Sequence, residues 1–167
     1  MFDIVIKKLY WIDGSDDNKD DFCLHGDVEV NIGDERYEES CAVSAAGLYM
    51  LKSVTNNHII YENNQMLPCC GHFLLPDDND ETITIIGCGN GVDWSVLHDE
   101  NSVSILTEKG TKIALDMEAY RRTVFDFVDK IEQYYQKCSP KNMLSLDEFS
   151  QNAYRVFLNE WKKRRSS

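Results

Sequence analysis

The chain has no apolar run approaching the roughly 18 residues that a membrane-spanning helix needs. Its first residues, MFDIVIKKLYWID, lack the basic start, apolar stretch and small-residue cleavage site of a secretory signal. These absences set the expectation of a cytosolic protein with no membrane contact. Proline is scarce, with three residues, and glycine is modest, with nine, so long low-complexity or disordered tracts are not expected. No internal repeat occurs. Positive charge is also short: 17 basic against 29 acidic side chains leave a net charge of -12. Nucleic-acid affinity comes largely from Lys and Arg neutralising phosphates, so direct nucleic-acid binding is not expected either.

What is present fits one domain over residues 1–167, a length that buries roughly two-thirds of the unfolded chain's surface without staples. Six cysteines (Cys23, Cys41, Cys69, Cys70, Cys88 and Cys138) are expected to be reduced in a cytosolic chain, with no disulfide framework. The negative charge is unevenly placed. Residues 1–115 hold 21 acidic and 7 basic side chains, whereas residues 116–167 hold 8 and 10.

Strand-like alternation runs over residues 2–12, with Phe2, Ile4 and Ile6 on one face, and again over residues 22–32, with Val28, Val30 and Ile32. The turn-rich stretch between them makes a hairpin. Residues 40–55 form an apolar block read as a buried helix, with Glu38 and Glu39 beside its positive end and Gly47 marking a close approach to the sheet. From 58 to 115 six short strands are expected, at 58–61, 71–75, 82–87, 92–98, 102–107 and 111–115, joined as an antiparallel meander. Two amphipathic helices close the chain. The first carries Tyr120, Val124, Phe127, Val128, Ile131, Tyr134, Tyr135 and Cys138 on one face behind an Asp116 cap. The second follows the break at Ser139-Pro140, with Ser145 and Glu148 as a capping box and Leu144 and Phe149 as a hydrophobic staple. The fold class is therefore α+β: an antiparallel β-sheet with one internal helix and a C-terminal pair of amphipathic helices.

No motif spells out a reaction. Pro68-Cys69-Cys70-Gly71-His72 offers soft ligands or a nucleophile with a base, yet Cys88 and His98 stand singly and no second zinc knuckle follows. Gly87-Cys88-Gly89-Asn90-Gly91 lacks the lysine and hydroxyl residue of a phosphate loop and reads as an irregular turn. No metal, cofactor or catalytic residue is expected. Three acidic clusters remain: Asp16, Asp17, Asp20 and Asp21; Glu35, Glu38 and Glu39; and Asp77, Asp78, Asp80 and Glu81. Read as loops of one sheet-rich region, their fields add and can steer a basic partner. None has the spacing of a calcium loop.

The blocks LPCCGHF and IIGCGNGVDWSVLHDENSVSI, with the size and acidity of the chain, resemble small immunity proteins of bacterial toxin–immunity systems, including those of contact-dependent growth inhibition. The likeness covers roughly residues 40–115. It implies a non-enzymatic protein that binds and neutralises a cognate toxin domain, often a basic nuclease. Two other classes stay open: a small enzyme using Cys70, His72, Cys88 or His98, and an adaptor that docks a partner through Tyr134 or Trp161.

Overall fold

The computed structural model describes residues 1–62, 64–71 and 73–167. Its elements are β1 (Phe2–Tyr10), β2 (His25–Ile32), β3 (Glu35–Ala42), α1 (Val43–Ser53), β4 (Leu67–Pro68), β5 (Phe73–Pro76), β6 (Ile83–Ile86), β7 (Gly91–Val92), β8 (Trp94–Asp99), β9 (Ser102–Thr107), β10 (Lys112–Asp116), α2 (Met117–Lys137) and α3 (Glu148–Arg165). The chain is α+β, as its sequence pattern implies. The described strands form antiparallel sheets: β1-β2-β3, β8-β9-β10, and the two-stranded pairs β4-β7 and β5-β6. The expected single meander is thus divided, and only β8 to β10 keep that form. Of the strand expected at 58–61, His58 forms a bridge to Val96.

Strand β3 is absent from the sequence reading because charge occupies both its faces: Arg36 and Glu38 point outward, and Glu35 and Glu39 flank Tyr37 on the inward face. It pairs with β2 from Ile32↔Glu35 to His25↔Ala42 across a two-residue turn at Gly33 and Asp34. Gly33 adopts φ +62°, a conformation that favours glycine. The apolar helix starts later than the pattern suggests, at Val43, and Glu38 and Glu39 lie on the strand rather than beside its N-terminus.

Helix α1 has no outer face. Every residue from Val43 to Ser53 is buried except half-exposed Lys52. It packs on α2, α3, β2, β3 and β4. Gly47 does mark a close approach, but to a helix: a Cβ there would lie 2.4 Å from the Trp161 ring of α3 and 3.2 Å from Ile131 of α2. Phe2 joins β1 to two further elements, lying edge-on to Trp94 of β8 at 6.1 Å and stacked on Tyr120 of α2 at 5.6 Å. The Ser53 hydroxyl donates to the Met50 carbonyl at 2.7 Å, so the buried Tyr120 hydroxyl, 2.6 Å away, is the donor to Ser53.

The two C-terminal helices follow the expected faces. Asp116 caps α2 by accepting from the Glu118 and Ala119 amides, and Tyr120, Val124, Phe127, Val128 and Ile131 are buried. The start of α3 differs. Asp147 is the cap, accepting from the Ser150 amide at 2.9 Å, while Ser145 lies in the short 3-10 helix Met143–Ser145. A staple joins the residue before the cap to the fourth helical residue, so moving the cap to Asp147 releases Leu144 and Phe149 from that role.

A buried carboxylate anchors the far end of α3. Glu160 is 1% exposed and accepts from the Ile83 amide at 2.7 Å and the Arg164 guanidinium at 2.9 Å. Lys52 of α1 stands 3.4 Å from it. Burial pulls the Lys52 ammonium below its usual range, and the Glu160 charge opposes that shift.

Two substitutions test this packing. Phe127→Ala removes a fully buried ring and is expected to cost about 3–5 kcal/mol in chemical denaturation. Gly47→Ala sets a helix-propensity gain of about 1 kcal/mol against overpacking of about 1–3 kcal/mol on the Trp161 ring. A lower melting temperature is expected; a higher one would show that the ring yields freely.

Candidate functional site

The first acidic cluster is not a free loop. Asp17 accepts from the Ser139 amide at 3.1 Å and its hydroxyl at 2.6 Å, and Asp20 accepts from Asn142 at 2.7 Å. Asp21 accepts from the Ile12 amide at 2.8 Å and the Cys23 amide at 2.9 Å, which delays β2 to His25. Asp16 is exposed, and its carbonyl receives the Tyr134 hydroxyl at 3.2 Å. Lys141 stands 3.2 Å over the Trp11 ring and donates to the Asn18 carbonyl at 2.7 Å. The loop therefore straps the connection between α2 and α3.

The second cluster lies on strand β3, a correction to its reading as a loop. Glu35 reaches across to Thr107 of β9 at 2.9 Å and bonds the Tyr37 hydroxyl. Glu38 pairs with Arg36, which also holds Glu29 at 2.9 Å. Glu39 is partly desolvated, and burial raises its carboxyl. The third cluster forms the β5-β6 turn: Asp77 accepts from the Glu81 amide at 2.8 Å and the Thr82 hydroxyl at 2.9 Å, and Asp80 accepts from Asn152 of α3 at 2.9 Å. Asp78 is exposed.

Tying down these carboxylates does not remove their charge. Hydrogen bonds from the Ser139 hydroxyl and amide hold Asp17 below the usual carboxylate range; the Glu81 amide and Thr82 do so for Asp77, and Ser150 for Asp147. They remain ionised at neutral pH as fixed sources of negative field.

The first and third clusters converge on the N-terminal half of α3, through Asn142 before it and Asn152 within it. An exposed apolar patch lies between. Phe73 and Phe149 are 51% and 47% exposed, with stacked rings 5.9 Å apart. Leu75, and Ile86 opposite Phe73, share the outer face of the β5-β6 hairpin. Leu144, 90% exposed, precedes the helix. A groove of about 130 Å³ between Phe73, Leu146 and Phe149 deepens the patch, and Asp147 and Glu148 stand exposed beside it. Sequence reading missed this patch because Phe73, Leu75 and Ile86 fell within expected strands and Leu144 and Phe149 within an expected staple. The available signal was Asp147 with Ser150 three residues later, a better cap than Ser145.

The residues of the other readings lie elsewhere. Trp161 is buried and Tyr134 half-buried, so neither offers the exposed anchor of the adaptor reading. His58 pairs with buried Asp93 at 2.8 Å, and His98 bonds the Ser53 carbonyl at 2.8 Å. A polar cavity of about 530 Å³ is lined by Tyr49, Lys52, His58 and Arg164, with both cations already bonded to Glu160. His72 lies outside the described residues. Cys69 and Cys88 form a disulfide beside Cys70, correcting the expectation of six reduced cysteines. The cause is the β4-β7 pairing, which sets two separate cysteine segments side by side.

No protein-family model, curated protein or solved structure matches this chain. Among the described residues, no helix is long and apolar enough to cross a membrane.

The strap carries a pH-dependent prediction. The folded carboxyl of Asp17 is shifted down, so its stabilisation is present above the unfolded value of about 3.9 and is lost as pH falls through the lower folded value. Asp17→Ala is therefore expected to lower the melting temperature near pH 7, with the gap from wild type narrowing below about pH 4. A gap that stays constant into strong acid would count against this role.

Proposed function

We propose that this chain is a non-enzymatic binding protein that captures and neutralises a basic toxin domain, as its resemblance to immunity proteins implies. The observation that carries the reading is the apolar patch around Phe73 and Phe149, set among carboxylates that stay charged. A basic nuclease must present positive charge to hold phosphates, and an acidic rim competes for that surface. The aromatic pair supplies what charge alone does not. Affinity concentrates in a few apolar anchors at an interface centre, while rim charges act mainly on the association rate.

The partner in this reading is a basic protein domain carrying an apolar side chain that packs on Phe73 and Phe149 and cations that meet Asp78, Asp147 and Glu148. No cofactor takes part. Asp147, and Asp77 and Asp80 in the neighbouring turn, are held by the fold before the partner arrives, so that part of the encounter field needs no ordering step.

Co-expression with the product of the adjacent upstream gene, followed by co-purification and a growth assay, tests the reading. Phe149→Ala is expected to weaken the complex by about tenfold or more, which is about 1.4 kcal/mol. Asp78→Lys with Glu148→Lys, at exposed positions, is expected to slow association and reduce its salt dependence while leaving dissociation nearly unchanged. Failure of the wild-type chain to bind that product or restore growth would reject the immunity reading.

A further inference from the structure

Two loops meet at the β4-β7 pair and bring together cysteines from distant parts of the chain. Leu67 pairs with Val92 and Pro68 with Gly91, and the Cys69 amide donates to the Asn90 carbonyl at 3.2 Å. The approach requires glycine. A Cβ at Gly87 would fall 2.1 Å from the Cys70 carbonyl oxygen, and one at Gly91, with φ +143°, would fall 2.3 Å from that of Leu67. The irregular glycine turn is therefore the device that lets Cys88 reach Cys69 and Cys70.

The three sulfurs lie within 4.8 Å of one another. All three residues are half-buried, open enough for a small ion or reductant to reach, and the Cys88 amide donates to the Cys70 sulfur at 3.2 Å. Cys23 stands close by but apart. Its thiol faces the Gly71 carbonyl at 3.5 Å, and burial pushes it up to about 11, so it stays protonated.

We propose that Cys69, Cys70 and Cys88, once the Cys69–Cys88 bond is reduced, form a three-thiolate site for a thiophilic d10 cation, Cu⁺ or Zn²⁺. The donor set is sulfur alone, the choice that selects soft cations over Mg²⁺ or Ca²⁺. Three thiolates can satisfy Cu⁺, whereas Zn²⁺ takes a fourth ligand from solvent at the half-exposed mouth. A dithiol reductant supplies two electrons and two protons to the Cys69–Cys88 bond and is itself oxidised to a disulfide. That leaves three thiols, and the cation displaces their protons as it binds. The oxidised chain lacks two of the three ligands, so metal and disulfide exclude each other. The site is independent of the acidic patch and its partner.

The test uses the full chain, reduced with a dithiol and desalted under nitrogen, with Cd²⁺ as the spectroscopic probe. One equivalent is expected to produce an ultraviolet thiolate-to-metal charge-transfer band, absent from the oxidised chain. Cys70→Ser, which keeps the Cys69–Cys88 pair and can be checked for folding by circular dichroism, is expected to weaken binding at least about tenfold. Cys138→Ser, outside the cluster, is expected to leave it unchanged. Competition against chromophoric chelators for Zn²⁺ and for Cu⁺ then identifies which ion is held. Absence of the band in reduced wild type, an unchanged band in folded Cys70→Ser, or failure to retain either ion would overturn the proposal.

Discussion

The indole of Trp161 lies against the backbone of Gly47, where a Cβ would stand only 2.4 Å from the ring. Much of the architecture depends on that approach. A helix as apolar as Val43–Ser53 must be covered on all sides, and α3 covers one of them only because position 47 has no side chain. With Trp161 seated, neighbouring Glu160 points inward and takes the Ile83 amide, Arg164 and Lys52 together. A buried carboxylate is tolerable there because its oxygens are bonded and two cations stand beside it. This anchor sets the C-terminal half of α3, and the rigid helix then carries its other end over β5, leaving Phe149 stacked on Phe73 at the surface.

The acidic residues serve both the fold and the field. Asp17, Asp20 and Asp21 organise a segment without regular structure by accepting amide and side-chain hydrogen bonds, and Asp77 does the same for its turn. An ionised acceptor makes a stronger bond than a neutral one, so the bonds to Asp17 and Asp77 also favour their charged state. A free acidic loop would carry the same charge but distribute it over many conformations. Here Asp17, Asp20, Asp77 and Asp80 are held in place, and in the proposed reading their field guides a cation-rimmed protein to the apolar patch.

Much of the secondary structure was legible because periodicity reports local geometry. The face from Tyr120 to Ile131, the Asp116 cap, the alternation of Phe2, Ile4 and Ile6, and the wholly apolar run through α1 all follow from the spacing of side chains along one element. Strand β3 escaped because Glu35, Arg36, Glu38 and Glu39 hide the inward Tyr37 and Cys41, although Gly33-Asp34 carried a hairpin signal. The cap of α3 was misplaced by two residues, and that alone turned an exposed aromatic into a supposed staple.

By itself, then, the sequence determined the class of fold, the helical faces, the acidity and the poverty of basic residues, because each is a property of composition or of neighbours along the chain. Tertiary structure decided which carboxylates fasten loops, that Gly47 meets a helix rather than a sheet, and that Phe73 and Phe149 come together. It also decided that Cys88 lies beside Cys69 and Cys70. Sequence separation conceals such meetings: the paired cysteines are 19 positions apart along the chain, and the stacked phenylalanines 76. No local period encodes a contact of that range; it exists only after separate elements have buried their apolar faces against one another.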